Sequence, residues 1–358
     1  MAEARGKIKN FGAAIFGAEI ERLKDQGTRC TKRPWKGKSR MKAAVVMKAG
    51  DSPTYSEFDE PIPLEGEMCV HVTASALTNF TKLRAAGKHF SFAVRPPFVV
   101  GIDGVGRFED GRRVYFLFPR APFGGMAQRT VVRSSNCIAV PDDVDDIALA
   151  AIADPGMSAW VALEARAKLM GGETVLVNGA TGSAGGMAVQ IAKYLGAKKV
   201  IATGRNRHAL NSLLSIGADE AIALESDGSG SEAAFRKQFE QGVDIVLDYL
   251  WGTSAQQIIS AASAGKGTVP VRFIQIGTAS GTNIALSGVA LRSSGLQIMG
   301  SGIGNVPLPD IINILSKLMQ AAATIRFEMP TTSLPLYRIG DAWSLDSVGP
   351  RIVLTMSA

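Results

Sequence analysis

The sequence predicts an α/β protein of two units, an irregular β unit followed by a doubly wound, six-stranded parallel sheet. Three observations carry that expectation. From Met41 to about Val140, short apolar runs alternate with Pro and Gly clusters. From about Asp154 onward, apolar strands alternate with helical stretches, the pattern of a parallel sheet with crossover helices. Midway along the chain, the apolar run Val175–Asn178 enters a turn containing Gly179, Gly182 and Gly185 and then an amphipathic helix.

In the first unit, assigned to residues 41–155, strands are expected at Ala43–Met47, Met68–Ala74, Val99–Gly101, Arg113–Phe118 and Ala127–Val132. Glu60-Pro-Ile-Pro63 and Arg95-Pro-Pro97 interrupt them as breakers. In the second unit, residues 156–305, strands are expected at 174–178, 199–203, 220–223, 244–248, 271–276 and 296–300. Helices are expected between them near 184–195, 206–215, 231–240 and 253–263. A further helix, Ile311–Ala322, precedes a Pro-rich return and the strand Arg351–Thr355, and residues 306–358 are expected to complete the β unit.

The glycine turn has the layout that seats a dinucleotide pyrophosphate. Gly179 permits the tight turn, Gly182 lets phosphates approach the backbone, and Gly185 lets helix and strand pack closely. The helix N-terminus adds unpaired N–H groups and the positive end of its dipole. Gly179, Ala180, Thr181, Gly182, Ser183, Ala184 and Gly185 are therefore the candidate cofactor seat. A site for NAD usually ends its second strand on an acid that holds the ribose 2′-hydroxyl. Here that strand ends Thr203-Gly204-Arg205-Asn206-Arg207, without an acid and with two arginines where a 2′-phosphate would lie. Gly204, Arg205 and Asn206 join the candidates and NADP(H) is the expected cofactor; the alternative is that the arginines are solvated residues opening a helix. Tyr194 and Lys198 spell a Tyr-x-x-x-Lys pair, but it follows the loop on the very helix the loop opens, too far from the reacting end of the cofactor.

The formal net charge of +7 is confined to the start of the chain. Residues 1–40 hold 11 Lys and Arg against 4 Asp and Glu, and the other 28 of each cancel. A nucleic-acid role for the folded body has no electrostatic support. The extension spaces Ile8, Phe11, Ile15, Ile20 and Leu23 at roughly helical intervals among basic residues, as a targeting or membrane-surface helix would. Its acids (Glu3, Glu19, Glu21, Asp25) and glycines count against that, so a mobile segment is expected. No membrane association is expected, since no uninterrupted apolar stretch reaches the ~18–20 residues of a membrane helix. Cys30, Cys69 and Cys137 are odd in number and widely spaced, which fits a reducing, cytoplasmic setting without disulfides or a structural metal.

Taken in order, several motifs resemble the medium-chain dehydrogenase/reductase superfamily, most closely its zinc-independent quinone oxidoreductase (zeta-crystallin-like) branch. Pro97-Phe-Val-Val-Gly101-Ile-Asp-Gly104-Val-Gly106 is similar to that family's P-x-x-x-G-x-[DE]-x-x-G turn. Ile152–Leu163 resembles its domain-crossing helix, in which Ser158 takes the place of a Thr facing the nicotinamide. Gly242–Asp248 resembles its fourth strand. Ile276-Gly277 and Gly300-Ser301-Gly302 resemble the loops after strands five and six, and Gly349-Pro-Arg351-Ile-Val-Leu the closing strand, whose basic residue lies near the cofactor. The resemblance implies a GroES-like β domain, a Rossmann domain, a homodimer, and cofactor contacts from Ser158, Ile276, Gly277, Gly300, Ser301, Gly302 and Arg351.

Zinc-dependent members carry Gly-His-Glu where this chain has Gly101-Ile102-Asp103, and a Cys ligand near Thr78–Thr81, where none exists. No metal is expected. Without a Lewis acid the fitting hydride acceptors are quinones and conjugated carbonyls, whose developing oxyanion one or two hydrogen bonds can stabilise. In the branch, an N-x-x-D…G-x-Y segment lines the nicotinamide pocket; here Thr78, Thr81 and His89 fall at its three polar positions, and a register shifted by one places Asn79 in the first role. His89 is the sharpest proton-donor candidate because histidine titrates near neutrality. Tyr115 is a second possible donor, read first as packing. The expected activity is reduction of a quinone or α,β-unsaturated carbonyl by NADPH. The alternative is a catalytically silent NADPH-binding sensor or structural protein.

Overall fold

The structure, a computed structural model, describes residues 39–87, 94–225, 231–264, 270–345 and 349–356. Its first unit comprises, in chain order, β1 (Arg40–Val46), β2 (Thr54–Asp59), β3 (Glu67–Ala76), helix α1 (Asn79–Ala85), β4 (Phe98–Val99), β5 (Asp103–Arg107), β6 (Arg113–Leu117), β7 (Arg129–Arg133) and β8 (Cys137–Ala139). The long β3 organises this unit. Val70, Val72, Ala74 and Ala76 alternate inward, and the strand pairs with β7 along one flank and with β5 along the other, with a bulge between Val72 and Ala74. A small sheet, β2-β1-β4, lies alongside.

Helix α2 (Asp146–Trp160) leads into the second unit: β9 (Thr174–Asn178), α3 (Ser183–Tyr194), β10 (Lys199–Gly204), α4 (Arg207–Ser212), β11 (Glu220–Ala223), α5 (Ser231–Gln241), β12 (Ile245–Asp248), α6 (Gly252–Ala264), β13 (Arg272–Gln275), α7 (Gly288–Ser294) and β14 (Gln297–Gly300). The sheet order is β11-β10-β9-β12-β13-β14, every pair parallel. Central strand β9 is Val-Leu-Val in its middle and buried on both faces, as a parallel sheet covered by helices requires. The order reverses between β9 and β12, which opens a crevice at the carboxyl ends of the strands.

The chain then returns through α8 (Leu308–Thr324), β15 (Thr331–Pro335), α9 (Ile339–Ser344) and β16 (Arg351–Thr355). β16 inserts between β15 and β3, so this segment adds two strands to the larger sheet of the first unit. The six expected strands of the second unit stand within a residue or two of their observed bounds. In the first unit Thr54–Asp59, Asp103–Arg107 and Cys137–Ala139 are strands beyond those expected, and Val99–Gly101 shrinks to Phe98–Val99. β5 escapes the pattern because two of its five residues are glycine: a Cβ on Gly106 would sit 2.3 Å from His71 O, and one on Gly104 2.8 Å from Ala74 O.

α2 has no polar face. Leu149 to Ala153 are all buried, and the helix packs on β3, β5 and β16 on one side and on α3 and α8 on the other. Together with its π-helical continuation Val161–Arg166, it is long and apolar enough to cross a membrane by composition, yet most of it is enclosed by the rest of the protein. Arg113 anchors its start, donating to Asp146 and to the carbonyls of Pro141 and Val144.

Gly156 of α2 meets Leu318 of α8 with no room for a side chain: a Cβ there would lie 2.6 Å from Leu318 Cδ2. Leu318→Ala should cost about 2–5 kcal/mol of stability, and Gly156→Ala should also destabilise, by overpacking. The double variant should lose less than the sum of the two, since the new methyl fills vacated space; urea unfolding of the four proteins measures that coupling.

Candidate functional site

The chain makes its polar connections at the carboxyl edge of the parallel sheet. Asn178, Thr203 and Asp248 lie at the ends of β9, β10 and β12, and all three are fully buried. Thr203 Oγ1 donates to Asn178 Oδ1 at 2.8 Å, and Asn178 Nδ2 donates to Asp248 Oδ1 at 2.7 Å and to Ser254 Oγ at 3.0 Å. Asp248 also accepts from the backbone of Leu250 and Trp251. Burial raises the Asp248 carboxyl above the usual range, and these hydrogen bonds oppose that shift. The network locks the three strand ends from which the loops depart.

The glycine loop leaves β9 at this point. Gly179 takes φ +90°, and its N–H donates to Thr203 Oγ1 at 3.2 Å. A Cβ on Gly185 would stand 2.3 Å from Gly179 O, so loop and helix touch there. Gly182 differs. It is exposed, and it is the N-cap of α3 with no side chain satisfying the first-turn N–H groups. The nearest atom to where its Cβ would be, Gly179 O, is 3.7 Å away. That opening beside free N–H donors fits a phosphate group. Ala180 is buried, whereas Thr181, Ser183 and Ala184 are half-buried along the same loop.

Gly204 packs against Thr181, where a Cβ would fall 2.5 Å from Thr181 Cγ2, so the residues after β10 abut the loop. Arg205 is exposed and has no ion pair among the described residues, while Arg207 bonds Glu225 at 2.5 Å. Asn206 caps α4, accepting from Ala209 N at 3.0 Å.

On the same edge, a pocket of about 160 Å³ is lined by Asp154, Met157, Ser158 and Val161 of the α2 helix, Ile276 after β13, Ser301, Gly302 and Ile303 after β14, and Ile311 of α8. It brings together four of the candidate cofactor residues, Ser158, Ile276, Ser301 and Gly302, with Gly277 and Gly300 adjoining in sequence. Sequence reading did not assign it Met157, Val161, Ile303 or Ile311; their only signal was apolar residues near the expected loops. The pocket's one ionisable liner is Asp154, which accepts from Arg351 Nη2 at 2.7 Å, so Arg351 reaches the pocket through Asp154. Behind Ser158, the buried Tyr249 hydroxyl feels the serine but lacks hydrogen-bond geometry to any partner, and burial pushes it beyond the ordinary phenol range. A larger depression of about 260 Å³, between Glu60, His71 and Arg129, lies away from the loops, and its Arg129 and Glu60 satisfy one another at 2.7 Å.

The segment expected to supply polar chemistry has another local use. Thr78 is the N-cap of α1: its Oγ1 accepts from Thr81 N at 2.9 Å and lies 3.0 Å from Thr81 Oγ1. Both threonines are buried, Asn79 is exposed at the first position of the helix, and none of the three lines the pocket. His89 lies outside the described residues. Tyr115 is buried and donates to Asp103 Oδ2 at 2.8 Å, in the interior rather than toward the pocket. Tyr194 stacks among Trp160 and Phe327, away from the reacting end. Among the described residues, no three His, Cys, Asp or Glu side chains gather to hold a metal ion.

Residues 184–321 match the family model described as zinc-binding dehydrogenase. A probable NADPH-dependent quinone reductase, tdiC, of Emericella nidulans is 26% identical over 358 residues, spanning 88% of this chain and 99% of the relative. Prostaglandin reductase-3 of Mus musculus is 28% identical over 225 residues, 60% of this chain and 57% of the relative. Among solved structures, the quinone oxidoreductase of Thermus thermophilus, determined also in complex with NADPH, superposes with a TM-score of 0.73 at 26% identity, covering 88% of this chain and all of that one. With its GroES-like β domain, Rossmann sheet and glycine loop in that order, the chain is similar to the quinone oxidoreductase-like branch of the medium-chain dehydrogenase/reductase superfamily.

Proposed function

We propose that this protein is an oxidoreductase that transfers hydride from NADPH to a quinone or an α,β-unsaturated carbonyl compound, without a metal. The observation that carries the cofactor assignment is Arg205: an exposed guanidinium with no ion pair among the described residues, held against the glycine loop through the Gly204–Thr181 contact. Gly182 and the first turn of α3 would take the pyrophosphate, and Arg205 the 2′-phosphate. The pocket of about 160 Å³ would take the nicotinamide, with Ser158 and Ser301 as its polar contacts.

When bound, NADPH supplies the hydride. Met157, Val161, Ile303 and Ile311 give the pocket apolar walls that exclude water. Ile102 stands where zinc-dependent members place a His ligand, and Thr78–Thr81, near which they place a Cys, holds none, so the donor set does not suit zinc. An acceptor that needs little electrophilic help is therefore favoured. The names of the related quinone and prostaglandin reductases support the same substrate classes. The mutual Thr78–Thr81 contact favours a second reading, a nucleotide-binding protein without catalysis, because it withdraws both hydroxyls from the pocket.

We also infer a homodimer, since β14 is an edge strand of the parallel sheet and Leu286, Val289 and Leu291 stand exposed beside it. Cys137 is buried with its thiol pushed up to about 12, so it is not a nucleophile at neutral pH.

Purified protein should oxidise NADPH in the presence of a quinone or enone panel; tight NADPH binding with no turnover on any acceptor would establish the silent reading instead. Arg205→Asp should weaken NADPH by roughly 1–3 kcal/mol, the scale of a charge-assisted contact, and leave NADH nearly unchanged in fluorescence titrations; equal losses for both would remove the 2′-phosphate assignment. Light scattering should give twice the 37.7 kDa chain mass, and Val289→Asp with Leu291→Asp should return the monomer.

A further inference from the structure

Asp103 opens β5 as a carboxylate only 1% exposed, and only one of its oxygens is answered. Tyr115 donates to Oδ2 at 2.8 Å, while Oδ1 is buried without a partner among the described residues. A buried carboxylate satisfied on one side alone is costly when ionised. Two other charges face it: Asp154 of α2 and Arg351 of β16. These two are bound to each other at 2.7 Å, and Arg351 Nε is buried with no partner among the described residues. If both acids are ionised, the cluster holds two negative charges against one positive. Burial first, then the Asp154 charge, push the Asp103 carboxyl up to about 7, against the opposing pull of Tyr115 and Arg351. With its proton, the cluster is neutral; without it, the cluster carries −1. Asp154 meanwhile forms part of the pocket wall.

We propose that Asp103, Tyr115, Asp154 and Arg351 form a proton store whose occupancy is coupled to the charge of the nicotinamide ring, the proton leaving as the ring becomes cationic. The inference rests on placing the ring in the pocket as above. A reduced nicotinamide is neutral and an oxidised one carries a positive charge. A cluster at −1 behind the pocket favours the cation, so ring oxidation and proton loss promote each other, reciprocally and by the same free energy. The step balances. Hydride takes two electrons from the ring to the acceptor, which becomes an anion. The Asp103 O–H breaks, its electron pair staying on the carboxylate; its proton passes to bulk water, and the acceptor anion takes one up. The store then refills from bulk water, so each turnover consumes one proton, one NADPH and one acceptor. Asp103 acts through Asp154 and is a positioning residue.

The test is calorimetric titration of the full chain with NADP+ and, separately, with NADPH, each in two buffers of different ionisation enthalpy. Any proton exchange due to the 2′-phosphate is common to both nucleotides and cancels in their difference. At pH 7 NADP+ should release up to about half a proton more than NADPH, because the store is then about half filled, and the difference should vanish about two units higher. Asp103→Asn should abolish the difference and flatten the pH dependence of the NADP+/NADPH affinity ratio. Tyr115→Phe removes a hydrogen bond that favours the ionised carboxylate, so it should move the release to higher pH. Equal proton exchange for the two nucleotides in the wild-type protein would overturn the store and leave the cofactor assignment standing. Failure to bind either nucleotide would overturn both.

Discussion

A helix that must be buried on every side dictates how this molecule is assembled. α2 offers water no polar face, so one sheet alone cannot shelter it; the β unit covers one flank, and α3 with α8 covers the other. Burying its larger side chains, such as Leu149, Ile152 and Met157, stabilises by roughly 1.5–3 kcal/mol each, which makes the helix the seam that holds two dissimilar units in one relation. Its one acid at the pocket, Asp154, needs a countercharge, and Arg351 supplies it from the last strand of the chain. The seam is thus also the place where a pocket forms, because the two units meet along α2 without filling the space beside Ser158.

Polar groups elsewhere in the interior are handled differently, and the contrast locates function. Asn178, Thr203 and Asp248 satisfy one another and the backbone so fully that they serve as a rigid frame for the loops. Asp103 and Arg351 each retain an unanswered atom. Incomplete satisfaction is tolerated where a change of charge state is useful, and these residues lie behind the pocket rather than under the frame.

Much of this was legible in the sequence, for identifiable reasons. Parallel strands buried on both faces appear as short apolar runs, and a glycine required by a 2.3 Å approach, such as Gly185, cannot be replaced without rebuilding the loop. The second unit was therefore read nearly to the residue. The first was read less well. β5 carries glycines where another backbone presses on it, which hides its alternation, and α1 is too short to show a period. At the site, local chemistry misled where it had two uses. Thr78 reads as a polar pocket residue or as an N-cap with equal ease, and only the fold reveals that its oxygen is already engaged. The Asp103–Asp154–Arg351 cluster was invisible as a unit, because its members come from three distant parts of the chain and meet only when β16 inserts.

That insertion also orders the making of the protein. β16 is an interior strand of the first sheet, flanked by β3 and β15, yet the entire second sheet precedes it in the chain. The six strands of the second sheet are contiguous in the chain and can pair as they emerge from the ribosome. The first sheet must wait with part of one flank of β3 open until β16 has been made. A protein in which β16 closes the sheet of the first unit therefore withholds its finished pocket until that strand has been made, and a copy cut short before it carries an unpaired strand edge instead.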